Sequence, residues 1–218
     1  MWVKTIGLIL FLCCLTSLAE ATNYYVNAST GSNTTGDGTS GNPWQTITHA
    51  LSQISGTSHT VYVAAGTYDT ALGETFPIVM KDGVSLVGAG KDVSIIAAGY
   101  TNTVIRCIGT IDPSTTLEGF SITQGDISEN GGGGIHVSAC SNIQIRNNSI
   151  TQNYGRDNSG AGIYIENSSP SITNNTISGN RCQYVNTSAS AILITGSSSA
   201  PYIYNNAIKN NMYTQYFT

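Results

Sequence analysis

Charge is what this sequence has least of. Of its 218 residues 9% are charged, with 8 Lys+Arg against 12 Asp+Glu and a formal net charge of −4. A nucleic-acid binder needs a basic face to displace counterions, so that class is excluded. Long apolar runs are missing beyond the N-terminus, and no later segment reads as a membrane span. Cysteine is sparse too. Outside the N-terminal segment only Cys107, Cys140 and Cys182 occur. An odd number makes no disulfide framework, and the three read as free thiols. The polar positions are filled by Ser, Thr, Asn and 24 Gly, a mixture that favours strands and turns over long helices.

The first 21 residues read as a signal peptide. Lys4 supplies the positive end, "IGLILFLCCL" (6–15) an apolar stretch too short to span a bilayer, and "AEA" (19–21) a small-x-small cleavage site. The mature chain is expected to start near Thr22 and to be secreted or held at the cell surface. A lipid anchor on Cys13 is the rival reading, disfavoured because Leu12 precedes it.

What is present is a repeat. "IQIRNNSITQN" (143–153), "SITNNTISGN" (171–180) and "YIYNNAIKNN" (202–211) share one grammar: Ile, any residue, Asn-Asn, any residue, Ile, two residues, Asn. Ile122, Ile150, Ile177 and Ile208 are spaced by 28, 27 and 31, and so are Leu117, Ile145, Ile172 and Ile203. Ile135, Ile163 and Ile192 follow at 28 and 29. Such a period marks a solenoid. Each copy holds only short runs ("GIYIE", "PSIT", "TIS"), which excludes helical repeats, and leucine is too scarce for leucine-rich repeats. The expected fold is all-β: a right-handed parallel β-helix with three-strand coils of about 27–31 residues, stacked about 4.8 Å apart. In such a stack Asn148, Asn175 and Asn206 fall at one bend, where Asn tolerates left-handed backbone angles and can bond to its own kind up the column. Phe120 holds that place one coil earlier, so the ladder is expected to begin at Asn148.

Residues 22–99 read as an N-terminal cap with irregular first coils, and 100–218 as regular coils. "TITHALSQI" (46–54) places Ile47, Ala50, Leu51 and Ile54 on one face of a helix, with Thr46 as its N-cap. A solenoid's first coil exposes apolar cross-section and open edges, and this helix serves as its lid. At the other end no amphipathic segment closes the coil begun at Pro201. That reads as a truncation, the open end continuing in a longer chain or pairing with another copy.

The N-terminal motifs carry a resemblance. The opening strand "YYV", the loop "GSNTTGDGTSGNPW", the Pro-aromatic-x-Thr-Ile helix and the "GTY" turn, over about residues 23–99, resemble a bacterial family of unknown function that opens many secreted right-handed β-helix proteins of the pectin-lyase-like superfamily. Family-nine polysaccharide lyases begin in a similar way. The resemblance implies the fold, and a site on the outer face of the first strand of each coil and the loop before it.

In that register the outward residues of the first strands are His136 and Ser138, Tyr164 and Glu166, Leu193 and Thr195. The loops "TQGDISENGGG" (123–133) and "TQNYGRDNSGA" (151–161) have equal length, which stacks Glu129 over Asp157 and Asp126 over Tyr154, with Arg156 beside them. Two carboxylates one coil apart repel unless a cation lies between them, so Glu129 and Asp157 form the candidate Ca²⁺ pair. The rings of His136 and Tyr164 are expected to offer a sugar a stacking surface. Lys81, Lys91 and Lys209 all lie away from these loops, so the base of a lyase has no occupant. Asp37 reads as a turn residue, and His49 and His59 as surface residues. Three readings stay open, in this order: binding or processing of an extracellular polysaccharide, a non-catalytic structural or adhesive stalk, and a Ca²⁺-dependent polyuronate lyase.

Overall fold

The computed structural model describes residues 21–127, 131–156, 159–183 and 189–214. Residues 1–20 of the expected signal peptide, Glu129 and Asp157 fall outside them. The chain winds as a parallel β-solenoid whose strands form four sheets. Sheet I has seven strands: Asn23–Val26, His59–Val63, Val84–Gly88, Thr116–Glu118, Ser141–Arg146, Ser169–Thr173 and Tyr202–Tyr204. Sheet II has six: Gly66–Asp69, Ser94–Ala97, Ser121–Thr123, Ser149–Thr151, Thr176–Ser178 and Ala207–Lys209. Sheet III has five: Ile78–Val79, Ile105–Ile108, Ile135–Ser138, Ile163–Glu166 and Ile192–Thr195. To these three the structure adds a short sheet IV, formed by Asp126–Ile127, Tyr154–Gly155, Arg181–Gln183 and Met212–Thr214. In the later coils the chain visits sheets I, II, IV and III in that order.

Period-two alternation sends every second residue inward, and stacking turns those residues into columns. Leu86, Leu117, Ile145, Ile172 and Ile203 are paired in register on sheet I. Ile96, Ile122, Ile150, Ile177 and Ile208 are paired on sheet II. Ile105, Ile135, Ile163 and Ile192 do the same on sheet III. Ile145, Ile150, Ile172 and Ile177 are fully buried, whereas Ile203 and Ile208 of the last described coil are 38% and 49% exposed. Cys107, Cys140 and Cys182 are buried free thiols.

The two asparagines of each pair divide the work of the bend. The first takes the left-handed backbone conformation, with φ of 55°, 58° and 53° at Asn147, Asn174 and Asn205. The second turns inward and ladders. Asn148 Nδ2 donates to Asn175 Oδ1 at 3.2 Å, and Asn175 Nδ2 to Asn206 Oδ1 at 3.0 Å. The same oxygens accept the main-chain N–H of the residue below at 2.9 Å. Beneath them Asn148 Oδ1 accepts the Phe120 N–H at 3.0 Å. A second ladder runs at the next corner. Asn153 Nδ2 donates to Asn180 Oδ1 at 3.0 Å, and Asn180 Nδ2 to Asn211 Oδ1 at 2.9 Å. These are the final asparagines of the repeat grammar.

The lid is the helix Ile47–Gln53, with Thr46 Oγ1 accepting the His49 N–H. Seven residues do not hold a helix in water. This one is clamped at both ends. The buried Glu74 carboxylate accepts the N–H groups of Ile47 and Thr48, at 2.5 and 2.9 Å, and the Thr48 hydroxyl at 2.6 Å. At the other end Lys81 Nζ donates to the carbonyls of Leu51 and Ile54. An anion at the N-terminus and a cation at the C-terminus both complement the helix dipole.

Candidate functional site

The short strands of sheet IV gather residues from four successive passes of the chain. Asp126 is in register with Tyr154, and Tyr154 with Arg181. Tyr100 reaches them from the bend after sheet II in an earlier coil. Its backbone is left-handed, with φ 60°, and its N–H donates to the Gln124 carbonyl at 2.6 Å. The Tyr100 ring meets Tyr154 edge to face, with centroids 5.3 Å apart. This pair forms a wall between two lobes. One, of about 290 Å³, is lined by Tyr100, Asp126, Tyr154, Gly155, Arg156 and Gln183. The other, of about 390 Å³, is lined by Tyr100, Thr151, Gln152, Tyr154, Gly179 and Arg181. A Cβ on Gly155 would lie 2.6 Å from Ser159 Oγ and 3.0 Å from the Ala161 backbone, so a larger residue would crowd the interior behind the groove.

Arg156 Nη2 donates to Asp126 Oδ2 at 2.9 Å. Asp126 Oδ1 is buried and accepts no hydrogen bond among the described residues. With Arg156 48% exposed the ion pair adds little stability. Its effect is to tie the guanidinium to the groove wall and to balance the carboxylate charge. Arg181 is exposed and has no ion-pair partner among the described residues. One lobe therefore carries a neutralised pair and the other a bare cation.

The structure thus brings together Asp126, Tyr154 and Arg156 of the residues singled out from the sequence. It adds Tyr100, Arg181 and Gln183, which sequence reasoning missed. No repeat marks Tyr100, and a bend residue from an earlier coil carries no signal of where its ring will land.

The outer face of sheet III corrects the expectation for His136 and Tyr164. Alternation does point both away from the core, but they are only 4% and 5% exposed. Their rings pack on each other, centroids 5.1 Å apart, and neither offers a face to a sugar. Gly132 and Gly160 bridge in parallel just before these strands, and a Cβ on Gly132 would lie 3.0 Å from the Tyr164 main-chain nitrogen, so the chain there runs close against the sheet. Both nitrogens of His136 are buried without a partner among the described residues. Burial, reinforced by the neighbouring Arg106 charge, holds the imidazole down to about 4. Glu166 accepts from the Ser138 hydroxyl at 3.2 Å, and Thr195 Oγ1 donates to Tyr164 Oη at 3.1 Å.

No group of three or more His, Cys, Asp or Glu that could hold a metal occurs among the described residues. Ca²⁺ requires roughly six to eight oxygens. Asp126 has one carboxylate oxygen committed to Arg156, so the described residues do not fit that ion. The pair expected to hold it, Glu129 and Asp157, lies outside them. Lys81 is spent on the lid, and no lysine lines the groove among the described residues. Asp37 accepts from the Thr39 N–H and hydroxyl within a turn. His59, expected at the surface, is instead buried at the start of its strand. Its Nδ1 accepts the Thr22 N–H at 3.2 Å, which leaves Nε2–H to donate to the Ser55 carbonyl at 3.1 Å.

No curated protein matches the chain. Among solved structures it is similar to pectin methylesterase PemA from Erwinia chrysanthemi, at 11% identity and a TM-score of 0.47, over 78% of this chain and 58% of that one. It is also similar to a rhamnogalacturonan lyase, at 12% identity and a TM-score of 0.33, over 89% of this chain and 54% of that one. The chain thus spans little more than half the length of either. A family model described as "Protein of unknown function (DUF1565)" matches residues 29–217, and the chain belongs to that family.

Proposed function

We propose that the chain binds an extracellular polysaccharide along sheet IV. The observation that carries this reading is the Tyr100–Tyr154 wall with a lobe on either side of it. Polysaccharides are recognised by rings laid against aromatic surface and by polar groups reaching their hydroxyls. The groove supplies both, with Gln183, Gln152 and Thr151 beside the tyrosines. Its residues come from successive coils, so it runs along the solenoid axis and suits an extended chain. The ion pair between Asp126 and Arg156 presets one lobe before a ligand arrives, which lowers the ordering cost of binding. Secretion rests on residues 1–21 of the sequence.

Binding without turnover accounts for the site better than a lyase does, because the lining residues among those described include neither a lysine nor a cluster of carboxylates. The non-catalytic stalk has its own support in the exposed apolar side chains of the last described coil, Ile203 and Ile208.

Native affinity electrophoresis against polygalacturonate, alginate and rhamnogalacturonan tests the reading. Retardation of the wild type by at least one polymer, weakened about tenfold or more in Tyr154→Ala, is expected. Absence of retardation by all of them sinks the proposal and leaves the stalk. Growth of ultraviolet absorption from unsaturated product in the same mixtures would restore the lyase.

A further inference from the structure

A second groove lies on the outside of sheet I at the capped end. Tyr25 and Tyr62 are in register on adjacent strands, and their rings stack at 5.6 Å with an interplanar angle of 25°. The next residue in that column is Val87, followed by Gly88 and Ala89. A valine does not cover a phenol ring, so the side of Tyr62 away from Tyr25 is left open, and Tyr62 is 40% exposed. The space, about 250 Å³, is lined by these residues together with Asn27, Ser40 and Pro43. A Cβ on Gly88 would sit 2.4 Å from the Gly119 carbonyl oxygen and 3.0 Å from the buried Phe120 ring, so the strand packs there directly on the next coil.

The wall is rigid. The loop that carries Asn27, Ser40 and Pro43 is fastened by Asn27 N–H to the Trp44 carbonyl at 2.9 Å, Ser32 N–H to the Pro43 carbonyl at 3.0 Å, and Trp44 Nε1 to the Gly36 carbonyl at 3.1 Å. Asn27 spends its side-chain oxygen on the N–H groups of Ser29 and Thr30. Its amide N–H groups and the exposed Ser40 hydroxyl remain to meet a ligand.

We propose that this groove is a second saccharide site, taking one neutral sugar ring stacked on the open face of Tyr62. No charged residue lines it among the described residues, in contrast to the groove on sheet IV. A uronate would be desolvated there with nothing to balance its charge. A pyranose presents an apolar C–H face to the phenol and hydroxyls to Asn27 and Ser40. The volume falls below the roughly 300 Å³ at which drug-sized pockets begin, which matches a single ring rather than a larger apolar body. Sheets II and III separate sheet I from sheet IV in both directions around the coil, so the two grooves face different ways. A chain with both sites cross-links strands of a mixed polysaccharide matrix, where engagement of one site raises the effective concentration of ligand at the other.

The test is affinity electrophoresis against soluble neutral polymers (galactan, xylan, galactomannan and mixed-linkage glucan), with calorimetric titration of their oligosaccharides into wild type, Tyr62→Ala, Tyr62→Phe and Tyr154→Ala. The expected result is retardation by at least one neutral polymer, a dissociation constant raised about tenfold or more in Tyr62→Ala, and a change of no more than about twofold in Tyr62→Phe and Tyr154→Ala. Tyr154→Ala thus separates failure of this site from failure of the groove on sheet IV. Indifference to every neutral polymer, or wild-type retardation of Tyr62→Ala, overturns the proposal. Binding of an apolar dye at Tyr62 that none of these sugars displaces identifies a different occupant and overturns it too.

Discussion

Asn175 Oδ1 accepts two hydrogen bonds from Asn148, one from its main-chain N–H at 2.9 Å and one from its side-chain Nδ2 at 3.2 Å. Asn175 Nδ2 meanwhile donates to the Ile145 carbonyl at 2.9 Å and to Asn206 Oδ1 at 3.0 Å. One buried side chain therefore satisfies groups in the coil below and the coil above. Asn175→Ala strands several of them at once, and each buried unsatisfied group costs about 1–3 kcal/mol. A loss of about 3–5 kcal/mol in urea unfolding is expected. Asn174→Ala, at the exposed neighbour, should lose about 1–2 kcal/mol, since it forfeits the tolerance of a left-handed backbone and one solvent-exposed hydrogen bond, accepted from Asn205 Nδ2 at 2.6 Å.

Ala139 sits at the bend after sheet III with φ 49°, where Gly109 and Gly196 hold the same place in other coils with φ of 80° and 85°. A Cβ is disfavoured in that conformation. Ala139→Gly should raise stability by roughly 0.5–1 kcal/mol, the relief of strain outweighing the added freedom of the unfolded chain. Thermal unfolding that shows no gain would mean the neighbouring strands already absorb the strain.

Glu74 clamps the lid through three accepted hydrogen bonds. Glu74→Ala should cost about 2–4 kcal/mol and raise amide exchange across residues 47–53 before it affects the later coils. Burial raises the Glu74 carboxyl above its ordinary 4.5, against the pull of the Thr48 and Ile47 hydrogen bonds. The folded state then holds its proton to higher pH than the unfolded chain does. Its contribution to stability falls as pH rises from 4.5 through the folded value, and that slope should vanish in Glu74→Ala.

His136 has the opposite sign. Its folded value near 4 lies below the ordinary 6.5, chiefly through burial and then through Arg106, with Glu166 opposing. Stability is intact above about pH 6.5 and is lost as pH falls toward 4, by an amount on the order of 2–3 kcal/mol. His136→Phe removes the titration and the two unpartnered nitrogens while keeping a ring against Tyr164. It should be as stable as wild type or more so at pH 7.5, and less sensitive to acid. Denaturant midpoints at pH 7.5, 5.5 and 4.5 distinguish the outcomes.

Much of the fold was legible because a solenoid writes its core as a period. Ile122, Ile150, Ile177 and Ile208 could be aligned by counting, and so could the Asn pair. Sheet IV could not be, because strands such as Tyr154–Gly155 are two residues long and show no alternation. Asn153, Asn180 and Asn211 were in plain view, yet a single Asn after a strand resembles any surface turn. His136 and Tyr164 show the limit of alternation: it gives the direction of a side chain but not what folds over it. Tyr100 shows the limit of register. It stands just before the residues that the repeat aligns, and only the wound chain brings it to Tyr154.

The two amide ladders also set a rule for how such a chain can change in length. Corner residues are 27 apart between Asn148 and Asn175 and 31 apart between Asn175 and Asn206, yet the bonding is the same. The extra residues are absorbed between corners, where the backbone leaves the sheets. Insertions and deletions are therefore tolerated in those arcs, and whole coils can be gained or lost as cassettes. A single residue added between the Ile and the Asn of one repeat would throw both corners out of phase.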